Sequence, residues 1–361
     1  MYKFLARPLL FRFSSDYAHD LTVNTAKAAG KNKALLQTLR AAYRYENPAL
    51  SQNIWGLQFK NPVGLAAGFD KNGTLAPTME SIGFGFIEIG SVTAEPSTGN
   101  PKPRSFRLPQ DQSLINRMGL NNDGASTIAR RIKKLQLDIP LGINIAKTHN
   151  PSIFGEKALL DYKTSFDLVK DLADYLTINI SCPNTKEGKT FEEPDTLDKL
   201  LQTLNISGDS ALPPVLIKFS VDLEPNQLNE LIGVCENHAV SGYVATNTSS
   251  KRLNLKSPVT KINNIGSGGL SGQAISNRST EIIEQISDLT HRDKTIIGVG
   301  GISSGQQAID KMKVGADLLQ VYTGLVYEGP SLVKKINKEI VKYLDQKGMD
   351  HIYEIQRPKS Q

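Results

Sequence analysis

The chain has 361 residues, of which 39% are hydrophobic and 22% are charged, a composition typical of a globular protein with a full-sized core. This composition excludes a disordered or fibrous chain, and no apolar stretch approaches the roughly 18 residues of a membrane-spanning helix. Cys182 and Cys235 are the only cysteines, which excludes a disulfide framework, an iron–sulfur cluster and a cysteine-based zinc site.

The formal net charge of +6 is concentrated at the N-terminus. Residues 1–46 contain eight basic and three acidic residues, so they carry five of the six net charges. The chain lacks the basic runs with interleaved aromatic residues that are typical of nucleic-acid-binding proteins. We therefore expect no nucleic-acid partner, and the basic N-terminus needs an explanation of its own.

Residues 1–46 are predicted to form a helical extension. Apolar and basic residues alternate in the opening MYKFLARPLLFRF, whereas a signal peptide has an uninterrupted apolar core. Pro8 starts a short helix or causes a kink, and Ser15 or Asp16 caps a helix that continues through Ala29. Two interpretations are open: a lid over one end of the main domain, or an interfacial anchor with apolar side chains in lipid and basic ones at anionic headgroups.

After Asn61, short apolar segments alternate with segments of helical periodicity. The predicted strands are Val63–Ala66, Gly85–Ile89, Leu141–Ala146, Leu176–Ile180, Val215–Phe219, Gly242–Ala245, Thr295–Val299 and Leu318–Tyr322. The predicted helices include Leu159–Ala173, Gln227–His238, Thr280–Leu289, Gln306–Met312 and Ser331–Leu344. Eight such units predict an α/β fold with a single (β/α)8 TIM barrel over residues 47–361. A doubly wound sheet is the rival architecture, but GLAAGFDKNG lacks the GxGxxG turn expected after its first strand.

Three long segments that follow strands are predicted to be loops: Ser91–Asn122, Ser181–Asp195 and Ser249–Ile275. In a TIM barrel such loops open at the C-terminal face, where active sites lie. We therefore expect the functional site at this face.

Two glycine-containing turns, IIGVGGISSG and QVYTG, follow the last two predicted strands. Many barrels bind phosphate at this place, because backbone N–H groups at Gly300 and Gly301 can approach the oxygens closely. Thr323 and Gly324 would close the other side. The alternative is a pair of tight turns without a ligand.

Polar side chains are predicted at the other strand ends. One asparagine at such a place is usually a turn residue, but four at one barrel mouth suit recognition of a planar heterocycle: Asn144, Asn179, Asn184 and Asn247. Lys71 lies just past the first predicted strand and Lys218 ends the apolar run PPVLIKF, and a fixed cation there would stabilise developing negative charge. The five histidines show neither HxH nor HExxH spacing, so we expect no metal site.

Cys182 follows the fourth predicted strand and is flanked by polar residues. Cys235 lies in the helical segment LIGVCENH, where a cysteine is usually a small buried apolar residue. A thiol with an ordinary pKa near 8.5 can act as a base at neutral pH once its thiolate is modestly favoured. Cys182 is therefore a candidate catalytic base.

Eleven motifs occur in order along the chain: GLAAGFDKNG, FGFIEIGSVT, NPKPRSFRL, INRMGLNNDG, LGINIAK, INISCPNT, IKFS, ATNTS, GGLSG, IIGVGGISSGQ and LLQVYTGL. Together they resemble the dihydroorotate dehydrogenases, from about Tyr2 to the last predicted helix. The N-terminal extension, with its Ala18 and His19 pair, resembles that of class 2, the quinone-dependent branch. Class 1 relatives start close to the first barrel strand.

The resemblance implies an FMN enzyme that oxidises dihydroorotate to orotate in de novo pyrimidine (UMP) biosynthesis and passes the electrons to a membrane quinone. In this family a hydride moves from C6 of the substrate to flavin N5 while a base, here at the position of Cys182, removes the C5 proton. His19, Arg107 and Tyr322 would lie near the quinone path. Residues 1–46 would bind an anionic membrane surface, at the cytoplasmic face of the cell membrane if the protein is bacterial.

The resemblance also implies two sets of binding residues. FMN would contact Ala67, Gly68, Lys71, Ser91, Asn144, Asn179, Lys218, Thr246, Gly272, Gly301, Tyr322 and Thr323. Dihydroorotate would contact Lys71, Asn116, Arg117, Met118, Gly119, Leu120, Asn179, Asn184, Asn247 and Thr248.

The base position differs from the class that the chain otherwise resembles. Class 2 enzymes usually have serine there, whereas Cys182 is typical of class 1, and the following TKEGKTFEEPDTL is also unlike the usual class 2 loop. We expect a quinone acceptor, because one substitution exchanges a base whereas a quinone entrance needs a whole segment. The alternatives are a class 1-like enzyme that uses fumarate or NAD, and a non-redox barrel that only binds a phosphate compound.

Overall fold

A computed structural model of the protein describes residues 2–181, 190–209 and 211–356. The strands of these residues, numbered along the chain, are β1 (Gln52–Ile54), β2 (Leu57–Phe59), β3 (Val63–Leu65), β4 (Phe86–Val92), β5 (Ser105–Leu108), β6 (Ser113–Asn116), β7 (Leu141–Ile145), β8 (Tyr175–Asn179), β9 (Val215–Phe219), β10 (Gly242–Ala245), β11 (Gly269–Gly272), β12 (Thr295–Val299) and β13 (Leu318–Val321). Eight of them close into a parallel barrel in the order β3, β4, β7, β8, β9, β10, β12 and β13. The predicted TIM barrel and its eight predicted strands are therefore confirmed.

The barrel strands are parallel because a helix returns the chain after each of them. Strands β7, β8 and β9 are buried at every position, as expected for a sheet with side chains packed on both faces. Asn179 at the end of β8 pairs in register with Lys218 of β9. The carboxyl ends of neighbouring strands thus bring polar residues that are distant in sequence to one face.

The helices of the described residues are α1 (Arg7–Leu10), α2 (Ser15–Ala29), α3 (Lys33–Tyr43), α4 (Ala76–Ser81), α5 (Ala125–Ile132), α6 (Glu156–Val169), α7 (Pro194–Leu204), α8 (Pro225–Glu236), α9 (Val259–Ile265), α10 (Ser276–Leu289), α11 (Gly305–Lys313), α12 (Thr323–Glu328), α13 (Leu332–Lys347) and α14 (Tyr353–Gln356). The five helices predicted from periodicity correspond to α6, α8, α10, α11 and α13. Their observed boundaries are shifted by one to a few residues, because caps and short 3₁₀ turns such as Lys170–Leu172 decide where a helix ends.

Two of the three predicted loops contain β-structure, so that part of the prediction is wrong. Strands β5 and β6 lie within Ser91–Asn122, and β11 lies within Ser249–Ile275. Together they form a three-stranded antiparallel sheet in the order β11, β6, β5. Each strand has four residues. Strands β5 and β6 pair locally, whereas β11 pairs with β6 more than 150 residues away, so no local pattern marks that second pairing.

The N-terminal segment packs against the barrel domain through a π-helical turn at Tyr2–Ala6 and helices α1 to α3. Pro8 lies in the first turn of α1, as predicted. The hydroxyl of Ser14, not of Ser15 or Asp16, caps α2. Asp16 is instead buried and accepts a 2.9 Å hydrogen bond from the backbone N–H of Arg104. In the described part of the chain, no helix combines the length and apolar character that crossing a membrane requires.

Candidate active site

A cavity of about 720 Å³ opens at the carboxyl ends of the barrel strands and extends to the N-terminal helices. Its barrel side is lined by backbone and polar side chains, among them Gly68, Ser91, Asn179, Lys218, Thr246 and Gly300. Its helix side is lined mainly by α2 and α3, among them Ala18, His19, Thr22, Ala26, Leu35 and Leu39. The same cavity therefore joins a polar barrel mouth to a largely apolar region under the helices.

A chain of hydrogen-bonded amides crosses the barrel mouth. The Nδ2 group of Asn179 donates to Ser91 Oγ at 3.1 Å, and Ser91 Oγ donates to Asn144 Oδ1. Asn247 Nδ2 donates to Asn179 Oδ1 at 3.2 Å and to the carbonyl oxygen of Ser181 at 3.0 Å. Because these side chains hold one another, the amides are presented in a fixed arrangement before any ligand binds.

Lys71 lies just beyond β3 and lines the cavity. Its Nζ donates a 2.7 Å hydrogen bond to the carbonyl oxygen of Gly68. Burial, together with the nearby charge of Arg104, lowers the pKa of Lys71 to about 8, although Asp70 opposes this shift. The backbone N–H groups of Thr74 and Leu75 hold the buried Asp70 carboxylate at 2.9 and 2.8 Å, which fixes the turn that carries Lys71.

Lys218 ends the apolar strand β9 and is only 5% exposed. Burial lowers the pKa of Lys218, and the negative charge of Glu88 opposes this shift. Its side chain lines the cavity beside Asn179. A buried cation at this place favours a ligand on which negative charge develops.

The turn after β12 provides a backbone cradle. Gly300 and Gly301 have φ angles of 124° and 71°, a region that side-chain-bearing residues rarely adopt. A Cβ atom at Gly301 would lie 2.3 Å from Cβ of Ser276, so only glycine fits the approach to α10. On the opposite side, the hydroxyls of Ser271 and Thr323 lie 2.8 Å apart.

Three buried polar atoms of the described residues that line this cavity have no hydrogen-bond partner. They are Oγ1 of Thr246, after β10, Oε1 of Gln320, in β13, and Oδ1 of Asn121, in the segment before α5. An unsatisfied buried polar atom costs about 1–3 kcal/mol, so in native proteins such atoms are usually paired with a ligand or a water. The barrel mouth thus offers hydrogen-bonding atoms for a polar ligand.

Aromatic rings connect the barrel mouth with helix α2. The imidazole of His19 contacts the ring of Phe69 edge-on at 5.9 Å, and Phe69 contacts Tyr322 in the same manner at 5.2 Å. Burial and the charge of Lys71 lower the pKa of His19 to about 3, so His19 is neutral at physiological pH. Burial also raises the pKa of Tyr322 to about 12.

Comparison with known proteins assigns the family. A family model described as dihydroorotate dehydrogenase matches residues 49–344. A protein of Gloeobacter violaceus named dihydroorotate dehydrogenase (quinone) is 41% identical over 348 residues, which cover 96% of both chains. The chain belongs to the dihydroorotate dehydrogenase family. A relative with the same name from Christiangramia forsetii is 40% identical, over 95% of this chain and 99% of that protein.

Solved structures of the family share the fold. The crystal structure of Eimeria tenella DHODH in complex with ferulenol superposes with a TM-score of 0.81 at 30% identity, covering 94% of this chain and 93% of that one. The ligand-free Eimeria tenella enzyme gives a TM-score of 0.79 at 31% identity. The chain is thus an enzyme of the dihydroorotate dehydrogenase family on a TIM barrel.

Most residues that the family resemblance singled out lie on the one cavity. From the FMN set these are Ala67, Gly68, Lys71, Ser91, Asn179, Lys218, Thr246, Gly272, Gly301, Tyr322 and Thr323. From the dihydroorotate set, Asn116, Met118, Leu120, Asn247 and Thr248 join Lys71 and Asn179 there. Asn144 lies behind Ser91 with no exposed surface, and Arg117 and Gly119 do not line the cavity. Cys182 and Asn184 lie outside the described residues.

Two polar residues inside the barrel were not singled out from the sequence. Glu88 of β4 and Gln320 of β13 are 0% and 1% exposed, and Gln320 Nε2 donates to Glu88 Oε2 at 2.8 Å. A polar residue within an apolar barrel strand was the signal that identified Lys218, and FIEIG and LLQVY show the same signal. These two residues connect the amides of this dihydroorotate dehydrogenase family site to the barrel centre.

Proposed function

We propose that the protein oxidises dihydroorotate to orotate in pyrimidine biosynthesis, with FMN as cofactor and a membrane quinone as electron acceptor. The observation that carries this proposal is the single cavity that joins the polar barrel mouth to the space under α2 and α3. A two-step redox enzyme needs both parts, because one substrate is a polar heterocycle and the other is an apolar quinone. The family membership and the quinone-type relatives at about 40% identity support the same conclusion.

The residues present fit FMN. The glycine cradle at Gly300 and Gly301 suits a phosphate group, since backbone N–H groups without neighbouring side chains can approach its oxygens. Gln320 Oε1 and Thr246 Oγ1 are unpartnered and suit the polar edge of a flavin ring. When bound, FMN supplies the two-electron acceptor for the substrate and the donor for the quinone. Under this proposal the FMN and dihydroorotate residue sets named above keep their assigned roles, except that Asn144, which is fully buried, would act through its hydrogen bond with Ser91 and not by touching FMN.

Oxidation of dihydroorotate removes a hydride from C6 and a proton from C5, and a C5–C6 double bond forms. We assign the proton to Cys182, the residue directly after Ser181. Ser181 is buried at the barrel mouth, where its carbonyl oxygen and its hydroxyl each accept a 3.0 Å hydrogen bond from Asn247 Nδ2. Lys71 and the asparagines would orient the anionic substrate, and Lys218 would stabilise negative charge on the reduced cofactor.

The quinone would enter between α2 and α3. The cavity there is lined by apolar side chains, including Ala18, Leu35 and Leu39. His19 and Tyr322 lie along the aromatic contacts that lead to the barrel mouth, and Arg107 also lines this region. A neutral His19 suits an uncharged quinone ring, because it can hydrogen-bond without adding charge.

We assign residues 1–46 to an extension for membrane and quinone access, and residues 47–361 to the FMN-binding barrel. Large apolar side chains of the extension face solvent: Phe4, Leu5, Leu9, Phe13, Tyr17, Leu21 and Leu35. The surrounding basic residues complement anionic headgroups. We therefore propose a peripheral membrane protein, at the cytoplasmic face of the cell membrane in a bacterium.

Anaerobic reduction and reoxidation of the purified protein tests this function. Dihydroorotate should bleach the oxidised-flavin absorbance, and a short-chain ubiquinone should restore it, whereas fumarate and NAD should not. Restoration by fumarate or NAD alone would point to a class 1-like enzyme. A colourless protein that binds no flavin would contradict the redox function altogether and favour a non-redox phosphate-binding barrel.

A further inference from the structure

Glu88 is a buried carboxylate at the centre of the barrel on which four hydrogen-bond donors converge. Asn144 Nδ2 donates to Oε1 at 2.9 Å. Gln320 Nε2, Thr177 Oγ1 and Tyr175 Oη donate to Oε2 at 2.8, 3.1 and 3.2 Å. A carboxylate only accepts hydrogen bonds, so each of its neighbours must turn an N–H or O–H group toward it.

Asn144 connects Glu88 to the barrel mouth, because its amide hydrogen-bonds to Glu88 on one side and to Ser91 on the other. Because the NH₂ group of Asn144 faces Glu88, its carbonyl oxygen faces Ser91, whose hydroxyl must donate. The Ser91 oxygen is then the acceptor for Asn179 Nδ2, which leaves Asn179 Oδ1 to accept from Asn247 Nδ2. The direction of every hydrogen bond in this series agrees with the acceptor at its start. Backbone groups of Ser181 support the same directions, because its N–H donates to Asn179 Oδ1 at 3.3 Å and its carbonyl oxygen accepts from Asn247 Nδ2 at 3.0 Å.

A second branch passes through Gln320. Its NH₂ group also faces Glu88, so its Oε1 atom is the one left unpartnered beside the cavity. An amide side chain can be placed in two orientations, which exchange a donor for an acceptor without changing its shape. Glu88 selects one of them on both branches.

We propose that Glu88 is a positioning residue that sets the donor and acceptor pattern of the site amides Asn179, Asn247 and Gln320. It presents Gln320 Oε1 to an N–H group of the bound heterocycle and holds the two asparagines in their ligand-binding orientation. This role rests on the proposed function, because the ligands concerned are the flavin and dihydroorotate.

Substitution E88Q tests the proposal without changing side-chain volume. The introduced NH₂ group would face a second NH₂ group on Asn144 or on Gln320, so one branch must reverse or lose its hydrogen bonds. An unpaired or misdirected buried group of this kind corresponds to an effect of roughly tenfold or more on ligand affinity. We expect the dissociation constant of FMN, the KM of dihydroorotate, or both to rise by about this factor.

The double substitution E88Q/N144D moves the carboxylate from position 88 to position 144 and restores the donor and acceptor pattern that E88Q disturbs. The NH₂ group introduced at position 88 would donate to the carboxylate introduced at position 144, while the amide carbonyl oxygen at position 88 would still accept from Gln320. The introduced carboxylate would also accept from the Ser91 hydroxyl, as the Asn144 carbonyl oxygen does. The direction of every other hydrogen bond is then restored, and we expect both constants to return to within about threefold of the wild-type values.

Thr177→Val is the matched control. It removes a donor to Glu88 Oε2 but leaves the hydrogen bonds through Asn144 and through Gln320 in place. We expect both constants to stay close to wild type in this variant. Unchanged constants in E88Q, or a double variant no better than E88Q, would overturn the proposal. If E88Q does not fold, the double variant decides, and its own failure to fold or to bind would overturn the proposal. Wild-type flavin reduction by dihydroorotate, measured in parallel, shows whether the proposed function itself holds.

Discussion

The guanidinium of Arg107, on strand β5, donates a 3.1 Å hydrogen bond to the carbonyl oxygen of Leu10, on helix α1. A second nitrogen of the same group donates to the carbonyl oxygen of Phe13, and the guanidinium lies 4.5 Å from the centre of the Phe11 ring. One side chain of the barrel domain therefore holds three residues of the N-terminal segment. Any function of that segment at the cavity depends on this attachment.

We expect Arg107→Met to slow reoxidation of the reduced protein by quinone about tenfold and to leave reduction by dihydroorotate unchanged. The variant loses two charge-assisted hydrogen bonds, each worth roughly 1.5–3 kcal/mol, so α1 is no longer held at the cavity. Rapid mixing of each half-reaction separately provides the measurement. Arg278→Met is the matched control, because Arg278 also donates to a backbone carbonyl, that of Leu223, but lies away from the segment. Equal losses in both half-reactions would contradict the proposed division of roles.

Membrane binding should depend on the exposed apolar side chains of the first helical turns. Phe4 and Leu5 are 82% and 65% exposed, and no core packing explains their character. We expect F4E/L5E to lose most of its co-sedimentation with vesicles that contain phosphatidylglycerol, because the variant adds charge to an apolar surface that would enter lipid. Phe154→Glu alters a residue of 62% exposure outside the segment and should bind like wild type. Equal binding by all three proteins would exclude this surface as the anchor.

Cys182→Ala should slow flavin reduction by dihydroorotate by about a hundredfold or more while FMN stays bound, since general bases typically contribute 10²–10⁴-fold. Single-turnover reduction, followed by flavin absorbance, measures this step directly. Cys235 provides the control: it is fully buried in α8, and burial raises the pKa of its thiol, so it stays protonated. In the Cys235→Ser variant, dihydroorotate should reduce the flavin at the wild-type rate. An unchanged rate in Cys182→Ala would remove Cys182 as the base.

Substrate affinity should fall at alkaline pH. The pKa of Lys71 lies at about 8 in the free protein, lowered chiefly by burial, so its positive charge is present below pH 8 and lost above it. Dihydroorotate carries a carboxylate, and we expect its KM to rise above pH 8 by up to about tenfold per pH unit. A steady-state pH series provides the measurement. Lys71→Arg keeps its charge at high pH, so its KM should stay level over the same range; a parallel rise in both proteins would exclude Lys71 as the titrating group.

The sequence was sufficient to predict the barrel because each barrel strand is a short apolar run followed by a polar or small residue. It did not predict β5, β6 and β11, which have four residues each, and the pairing of β6 with β11 joins residues more than 150 positions apart. The position of a residue at a strand end also does not show whether its side chain reaches the cavity. Asn144 and Asn179 occupy similar positions in the sequence, yet Asn144 has no exposed surface whereas Asn179 lines the cavity. The branched hydrogen bonds from Glu88 depend on side-chain directions in four different strands, which periodicity does not encode.

Lys311, on helix α11, is fully buried beneath the glycine cradle and holds the start of α10. Its Nζ donates to the carbonyl oxygen of Ser276 at 3.2 Å and to the hydroxyls of Ser279 and Thr280 at 3.0 Å each. Ser276 is the residue against which Gly301 packs, so this lysine supports the turn assigned to phosphate binding.

Burial lowers the pKa of Lys311 to about 7, well below its value of 10.5 in an unfolded chain. Between these two values the unfolded state binds one proton more than the folded state, so this group makes the free energy of unfolding increase with pH, by at most about 1.4 kcal/mol per pH unit. Below pH 7 both states are protonated, and the cost of burying the charge is present in full.

We expect Lys311→Met to be least destabilising at pH 6 and increasingly destabilising towards pH 9. Urea unfolding of both proteins across this range measures the difference, and Lys313→Met, on the exposed side of the same helix, should show no such trend. A difference between wild type and Lys311→Met that does not change with pH would show that the buried lysine keeps its proton in the folded protein throughout.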